Sequence, residues 1–288
     1  MAVIGSTGQL GSDLAQQLSV SKRYEVTRLS HHQVDVADRD SVRRFLFPGR
    51  FDVVINCAAL THVDACEERP GEAFQVNAVG ALEVARACAE SQALCVFVST
   101  DFVFGGGKGE PYSEADPPSP VNVYGTSKLA GEILVGQACR RWLTVRVASL
   151  FGRAGSRGKG GNFVETILAK ARAGGPVHVV NDIWMSPSYT VDVAGMMAGL
   201  IEGGAVGLYH GANQGRCTWF EFAQEAVRAA GLDAEIQPIP SDRYPMKAKR
   251  PKDSSMRSLR LESVLGYPMR SWQEALKAYL IERGHLQE

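Results

Sequence analysis

The chain has 288 residues, of which 45% are hydrophobic and 22% are charged. This length and composition allow a sizeable core, in one large domain or in one domain with a smaller lobe. Lysine plus arginine and aspartate plus glutamate each number 31, so no basic field recruits nucleic acid or an anionic membrane. No apolar run approaches the roughly 20 residues of a membrane span, and Met1 opens directly on a predicted strand. We therefore expect a cytoplasmic protein with a small-molecule partner, and neither a nucleic-acid nor a membrane partner.

Short β-rich runs alternate with helix-like stretches up to about residue 150. The predicted strands are Ala2–Ile4, Glu25–Leu29, Val53–Asn56, Leu94–Ser99 and Leu143–Val147. The predicted helices are Gln9–Leu18, Arg39–Phe45, Pro70–Ser91 and Tyr124–Gly136. The alternation predicts an α/β fold with a doubly wound, Rossmann-type parallel sheet, which binds ligands beyond the carboxyl ends of its strands.

The pattern is less regular beyond residue 150. Residues 154–161, AGSRGKGG, have the composition of a mobile loop over a site. Further helices are predicted at Phe163–Ala173, Val191–Ile201, Trp219–Ala230 and Ser271–Arg283. We expect residues 1–150 to form a cofactor domain and residues 151–288 to form mainly a smaller substrate-binding lobe, with some segments returning to the first domain.

The first strand is followed by a glycine loop. Gly5, Gly8 and Gly11 have the spacing G-x-x-G-x-x-G and lead into the first predicted helix. Glycines at this turn let the backbone approach a pyrophosphate, and the helix N-terminus supplies N–H donors. The loop therefore predicts a dinucleotide site, with Thr7, Gln9 and Leu10 among its residues.

The end of the second strand indicates which dinucleotide binds. Sites selective for NAD usually carry an acidic residue there, and this chain has Arg28 followed by Leu29 and Ser30. We therefore expect NADPH, with NADH as the alternative; Arg28 has an equally plausible role as a solvated charge. Asp35 and Val36 are placed to meet the adenine, and the small residues after the third strand, Ala58 and Ala59, allow close backbone approach.

Three residues have the chemistry of carbonyl reduction. Tyr124 and Lys128 lie at i and i+4 of one predicted helix and so share a face, and Thr100 follows a strand end. An ammonium beside a tyrosine stabilises the phenolate and lowers the tyrosine pKa from its usual value near 10. Thr100 is then expected to hold the substrate oxygen that becomes an alkoxide. A Y-x-x-x-K pair alone is more often a surface contact.

The order of several motifs resembles the extended short-chain dehydrogenase/reductase family, and within it the dTDP-4-dehydrorhamnose reductases. The resemblance covers nearly the whole chain, and its most specific part is VSTDFVFGGGKGEPYSEADPPSPVNVYGTSKLAGE. It implies reduction of the 4-keto group of dTDP-4-dehydro-β-L-rhamnose to dTDP-L-rhamnose by an NADPH-dependent oxidoreductase, with Tyr124 as proton donor. Lys128 would tune that acid and contact the nicotinamide ribose, and Thr100 would orient the carbonyl.

The resemblance also implies binding residues by matching position. For the cofactor they are Gly8, Gln9, Leu10, Asp35, Val36, Ala59, Leu60 and Thr61. For the nucleotide-sugar they are Thr61, Val63, Thr100, Asp101 and Asn162. Arg250 is a further candidate, because a guanidinium binds a diphosphate through a fork, and a solvated basic loop is its alternative reading.

Three departures from the family pattern fall on the substrate side. Phe102 stands where tyrosine is common, Leu150 stands where a tryptophan commonly packs on the sugar, and residues 183–189, IWMSPSY, replace a glutamine-containing run. Some members dimerise around magnesium; Asp13 matches one of their acidic residues, but Val191 replaces another. We therefore predict no metal, and either a monomer or a homodimer.

Other functions remain open from the sequence. A related nucleotide-sugar reductase or epimerase would act on another deoxysugar. A non-catalytic NADP-binding subunit, like the regulatory subunit of methionine adenosyltransferase, would bind a protein partner. Among single residues, we expect His62 to cap or pack, Trp219 and Phe222 to lie in the core, and the six cysteines to be reduced.

Overall fold

The computed structural model describes residues 1–21, 23–46, 51–155 and 161–287. Its strands in chain order are β1 Ala2–Ile4, β2 Thr27–Leu29, β3 Val53–Asn56, β4 Leu94–Thr100, β5 Trp142–Val147, β6 Leu150–Phe151, β7 Val177–Val180, β8 Trp184–Met185, β9 Ser188–Tyr189, β10 Gly207–Gly211, β11 Cys217–Thr218 and β12 Ile236–Ile239. Most of the loop predicted at 154–161 lies outside the described residues.

The helices surround and follow these strands. In chain order they are α1 Gln9–Val20, α2 Arg39–Leu46, α3 Val63–Glu68, α4 Pro70–Phe74, α5 Gly80–Glu90, α6 Val123–Ala138, α7 Phe163–Ala173, α8 Thr190–Glu202, α9 Trp219–Ala229, α10 Leu261–Leu265 and α11 Trp272–Glu282. A π-helical turn, Gln75–Val79, joins α4 to α5, so the helix predicted over 70–91 is continuous but not uniformly α. None of the helices in the described residues is long and apolar enough to cross a membrane.

Six of the strands in the described residues form one parallel sheet in the order β2-β1-β3-β4-β5-β10. Ile4 pairs with Leu29 on one side and with Asn56 on the other. The strand order therefore reverses direction between β1 and β3, and such a switch point opens a crevice beyond the carboxyl ends of the strands. The predicted α/β doubly wound fold is confirmed.

The sheet is buried on both faces because its strands are almost wholly apolar. Burial is complete along β1, and Ile55, Val96 and Val145 are also fully buried. On one face α8 packs against α1, and β10 extends the sheet beyond β5. One strand from the second half of the chain thus extends the sheet of the first half, and one helix packs against it, while the division at residue 150 stays a prediction.

A second, aromatic core lies among the later helices. Phe151 contacts Tyr189, Phe222 and Tyr279 at ring-centroid distances of 5.4–5.6 Å, and Phe222 packs edge-on against Trp272 at 5.7 Å. Capping boxes begin both α9 and α11. This cluster fixes the elements that present residues 150, 162 and 219 to the neighbouring cleft.

Candidate active site

A cleft of about 600 Å³ opens at the switch point of the sheet. Loops after β1, β3, β4 and β5 meet the N-terminal parts of α6, α7 and α9 there. Its lining comprises Gly5, Gly8, Gln9, Leu10, Gly11, Cys57, Ala59, Thr61, Val63, Val98, Ser99, Thr100, Asp101, Phe102, Tyr124, Lys128, Val147, Ser149, Leu150, Gly161, Asn162, Phe163, Thr166 and Trp219. Most of the residues that the sequence predicted for catalysis and binding therefore converge on one cavity.

The glycine loop leaves no room for side chains. Gly5 has a φ of +74°, and a Cβ there would lie 2.9 Å from the backbone N of Ala58. A Cβ on Gly11 would lie 2.3 Å from the carbonyl oxygen of Gly5. The turn is therefore tight, and it brings the start of α1 to the cleft. This geometry suits a pyrophosphate, which binds helix N-termini through backbone N–H groups.

A buried polar atom also points to a polar ligand at this loop. Within the described residues, Nε2 of Gln9 is buried and has no hydrogen-bond partner. An unsatisfied buried amide is costly, so a ligand acceptor at this position would stabilise it. The residues present therefore fit a dinucleotide.

Several residues predicted for the cofactor lie outside the lining of the cleft. Arg28 is exposed and donates to Oε1 of Gln16 on α1 at 3.1 Å. Asp35 accepts from the backbone N–H of Ala37 at 2.9 Å, and Val36 is buried. The remaining three are Thr7, Ala58 and Leu60. Ala58 still contributes, because its backbone packs against Gly5.

Thr100 is the last residue of β4 and is 5% exposed. Its hydroxyl donates to Oδ1 of Asp101 at 2.9 Å and accepts from the backbone N–H of Phe102 at 3.2 Å. The second oxygen of Asp101 accepts from Ser254 at 2.5 Å. The Thr100 hydroxyl thus donates to a carboxylate, and the expectation that it holds the substrate oxygen stays a prediction.

Tyr124 lies in the first turn of α6, which Asn122 caps by accepting from the backbone N–H of Gly125 at 2.8 Å. Its ring packs edge-on against Phe102 at 5.9 Å. Burial raises the pKa of Tyr124 well above its ordinary value, while Thr100 lowers it and Asp101 raises it further. The phenol is therefore held protonated.

Lys128 follows one helical turn later and is 1% exposed. Its ammonium lies 4.0 Å from the ring centroid of Phe97. Burial lowers the pKa of Lys128 to about 7, against the opposing effects of Glu132 and Cys57. The sequence predicted that Lys128 lowers the pKa of Tyr124. In the structure burial dominates both groups, so the pKa of the phenol moves in the opposite direction.

Most of the predicted substrate residues line the cleft. Thr61, Val63, Phe102 and Leu150 line the cleft. Asn162 also lines the cleft, but its side chain forms hydrogen bonds within the protein. Its Oδ1 accepts from the backbone N–H of Glu165 and so caps α7. Its Nδ2 donates to the carbonyl oxygen of Gly152 and to the hydroxyl of Tyr279.

Arg250 lies outside the lining of the cleft. It pairs with Asp64 of α3 at 3.0 Å and donates to the carbonyl oxygen of Ala248, also at 3.0 Å. The fork of its guanidinium is therefore directed to protein oxygens. His62 accepts from the backbone N–H of Ala65 at 3.2 Å and caps α3, as expected.

Sequence reasoning missed several residues that line the cleft, Trp219 and Cys57 among them. Trp219 was expected in the core, but it is partly exposed and lines the cleft with Phe163, their ring centroids 4.6 Å apart. Phe222, one turn further along α9, is buried as predicted. Cys57 also lines the cleft beside Lys128, and burial raises the pKa of its thiol to about 12. Helical spacing alone could not show which aromatic residue faces the cavity.

The fold and the converging glycine loop, threonine, tyrosine and lysine define a Rossmann-type oxidoreductase. The family described as the RmlD substrate binding domain matches residues 1–284. A relative in Mycolicibacterium smegmatis named dTDP-4-dehydrorhamnose reductase is 40% identical, over 96% of this chain and 84% of its own. A Streptomyces niveus relative named dTDP-4-keto-6-deoxy-D-glucose reductase is 35% identical, over 95% and 94%.

A solved structure has the same architecture. The dTDP-4-dehydrorhamnose reductase of Bacillus anthracis, in complex with NADP, superimposes with a TM-score of 0.91 at 33% identity, covering 98% of each chain. The chain therefore belongs to the RmlD family, and the resemblance found in its sequence is confirmed.

Proposed function

We propose that the protein reduces the 4-keto group of dTDP-4-dehydro-β-L-rhamnose to give dTDP-L-rhamnose, with NADPH as the reductant. The observation that carries this proposal is the convergence of Thr100, Tyr124 and Lys128 beside the glycine loop in one cleft. Family membership and the NADP-bound structural neighbour support it.

The glycine loop would hold the cofactor. Backbone groups at Gly8, Gln9 and Leu10 would bind its pyrophosphate, with Gly5 and Gly11 allowing the close approach. NADPH bound there supplies the hydride that adds to the keto carbon. The side chain of Gln9 would find its missing acceptor on the bound dinucleotide.

Tyr124 would deliver the proton. Its phenol is protonated in the buried site, so it can donate to the ketone oxygen as negative charge develops there. Lys128, with a pKa near 7, would carry its charge most fully when a developing phenolate or a cofactor oxygen lies nearby. The surrounding side chains, Val98, Val147 and Phe102, make the site apolar and strengthen these interactions.

A second candidate substrate is the 4-keto-6-deoxy-D-glucose form of the dTDP-sugar. Phe102 and Leu150, both departures from the family pattern, line the cleft. The Streptomyces niveus relative is named for that reaction. Neither the redox chemistry nor Tyr124 would change between the two substrates, because only the sugar contacts differ.

NADPH oxidation at 340 nm with each dTDP-sugar tests the proposal. We expect turnover with dTDP-4-dehydrorhamnose at a kcat/KM above that for the second ketosugar, and product identified as dTDP-rhamnose. Higher kcat/KM for the second ketosugar would favour the second candidate. If the protein binds NADPH but reduces neither dTDP-ketosugar, the hypothesis of a non-catalytic NADP-binding subunit would be favoured. A binding assay with a methionine adenosyltransferase catalytic subunit would test that hypothesis.

A further inference from the structure

Ser149 is a left-handed residue in the wall of the cleft. It follows β5, is partly exposed and has a φ of +39°. Among the non-glycine residues that the structure describes, only Gln92 shares a positive φ, at +57°. Residues with a Cβ rarely adopt this conformation, and such strain collects at ligand-binding positions. Gln92 lies in an exposed turn after α5, whereas Ser149 lies in the cleft.

The backbone of Ser149 is fixed on both sides. Two residues before it, Val147 of β5 pairs with Thr100 of β4 in the main sheet. Directly after it, Leu150 begins β6, which pairs with β9. The carbonyl oxygen of Ser149 accepts from the backbone N–H of Ser188 in β9 at 3.3 Å. The chain thus leaves the main sheet at Ser149. A glycine would make this turn without strain, so the turn alone does not require a serine.

The hydroxyl of Ser149 is available to a ligand. No group in the described part of the chain hydrogen-bonds it. Two neighbouring hydroxyls in the cleft differ, because Thr100 donates to Asp101 at 2.9 Å and Ser99 donates to Glu132 at 2.5 Å. A serine hydroxyl offers one donor and two acceptor sites, and a hydrogen bond is stronger in apolar surroundings. Ser149 therefore presents an unused polar group at a fixed position.

The position of Ser149 favours the cofactor over the sugar as its ligand. The glycine loop follows β1, and β2 and β5 lie on opposite sides of that strand in the sheet. A dinucleotide held at this loop, with its adenine near Asp35 as expected, would extend its reactive half towards β4 and β5. Ser149 lies at that edge of the sheet, beside Thr100. The lobe residues that line the cleft, such as Trp219, come from elements outside the sheet.

We propose that Ser149 is a cofactor-binding residue whose hydroxyl hydrogen-bonds the carboxamide of the nicotinamide and so favours one orientation of the ring. This inference rests on the proposed NADPH-dependent reductase function. A carboxamide presents N–H donors and a carbonyl acceptor, and a serine hydroxyl can pair with either. The left-handed backbone of Ser149 fixes where that hydroxyl lies.

The variant Ser149→Gly removes the hydroxyl and suits the left-handed backbone, so its melting temperature should equal or exceed that of the wild type. We expect the Kd of NADPH, measured by calorimetry, to rise about threefold to tenfold, as for the loss of one neutral hydrogen bond. Ser149→Ala keeps the strain and should lose the same affinity. Gln92→Gly, the control outside the cleft, should leave Kd unchanged. A loss in Ser149→Ala alone would trace the effect to the backbone and overturn the proposal.

Cofactor analogues locate the contact. In the 3-acetylpyridine analogue of NADP+ a methyl group replaces the amide nitrogen, and in the thionicotinamide analogue sulfur replaces the amide oxygen. The wild type should bind at least one analogue about threefold or more weakly than NADP+, and Ser149→Gly should lose that preference. No preference in the wild type, or the same preference in both proteins, would overturn the proposal. A change confined to the KM of the dTDP-sugar would also overturn it.

These binding measurements need no turnover. If the wild type binds NADPH tightly and Ser149→Gly binds it equally tightly, the role of Ser149 is wrong while the reductase function stands. If the wild type binds no NADPH, the proposed function itself is contradicted. The two failures are therefore distinct.

Discussion

The cleft is lined by two groups of residues with different origins. The catalytic group, Gly5, Gly11, Thr100, Tyr124 and Lys128, comes from the first 128 residues and lies at strand ends and helix starts of one sheet. The lobe group, Leu150, Asn162, Phe163, Thr166 and Trp219, comes from segments whose positions depend on the aromatic core. Backbone geometry places the first group, and long-range packing places the second. We expect the first to control chemistry and the second to control sugar binding.

The largest effect should come from Tyr124→Phe. Removal of the phenol proton should lower kcat by roughly 100-fold to 10,000-fold, the usual contribution of a general acid. The Kd of NADPH, measured by fluorescence titration, should change little, because the glycine loop is untouched. If the variant keeps more than a third of wild-type kcat, the proton comes from another group.

A buried ion pair between Glu132 and Arg146 lies next to the catalytic group. Glu132 accepts from Arg146 at 2.9 and 2.7 Å and from Ser99, the neighbour of Thr100, at 2.5 Å. Glu132→Ala would leave the buried arginine unpaired and should cost about 3–5 kcal/mol in the free energy of unfolding.

The exposed pair Arg228–Glu225 provides the matched control for that variant, with the arginine side chain 74% exposed. Glu225→Ala should cost about 1 kcal/mol or less in urea unfolding. Equal losses in the free energy of unfolding for Glu132→Ala and Glu225→Ala would show that the Glu132–Arg146 pair stabilises the protein no more than a surface ion pair does.

A smaller effect is expected at the glycine loop. In Gly11→Ala the new methyl would meet the carbonyl oxygen of Gly5 at 2.3 Å, so the turn must shift, at about 1–3 kcal/mol. The Kd of NADPH should rise about tenfold or more, with the KM of the sugar less affected. Gly71→Ala is the control, because its Cβ would meet no atom within 4 Å. Unchanged NADPH affinity in Gly11→Ala would argue against cofactor binding at this loop.

The smallest effect should come from the lobe group. Trp219→Leu removes an aromatic surface that packs at 4.6 Å against Phe163, and aromatic pairs contribute about 0.5–1.5 kcal/mol. The KM of the dTDP-sugar should rise about twofold to tenfold while the KM of NADPH stays constant. Trp142→Leu, at the start of β5 and outside the cleft lining, should leave both constants unchanged. If only the KM of NADPH rises, Trp219 contributes to cofactor binding and not to sugar binding.

Sequence reasoning could place Gly5, Gly11, Thr100, Tyr124 and Lys128 at one cleft because each position depends on local geometry, and their catalytic roles stay predictions. Strand β1 and its glycine turn, the end of β4, and the i, i+4 pair on α6 are all set by short-range patterns. The sheet-pairing of β10 and the position of Trp219 depend on contacts across the whole chain, which periodicity does not encode. The hydrogen bond from Ser254 to Asp101, 153 residues apart, was likewise invisible.

The pKa of Tyr124 was predicted in the wrong direction for a related reason. The spacing of Tyr124 and Lys128 shows that the two side chains share a helix face, but it does not show how deeply they are buried. Desolvation is the largest effect on both groups in the structure, and it opposes the charged form of each. Short sequence motifs identify neighbours, whereas burial requires the fold.

The central claim is that hydride reaches the keto carbon of a dTDP-sugar in this cleft. Its most direct test uses NADPH deuterated at the transferring position of the nicotinamide, with dTDP-4-dehydrorhamnose as substrate and NMR of the product. We predict dTDP-rhamnose with deuterium at sugar C4, and no labelled product from Tyr124→Phe above about 1% of the wild-type rate. Unlabelled product, or deuterium at any other carbon, would contradict the account.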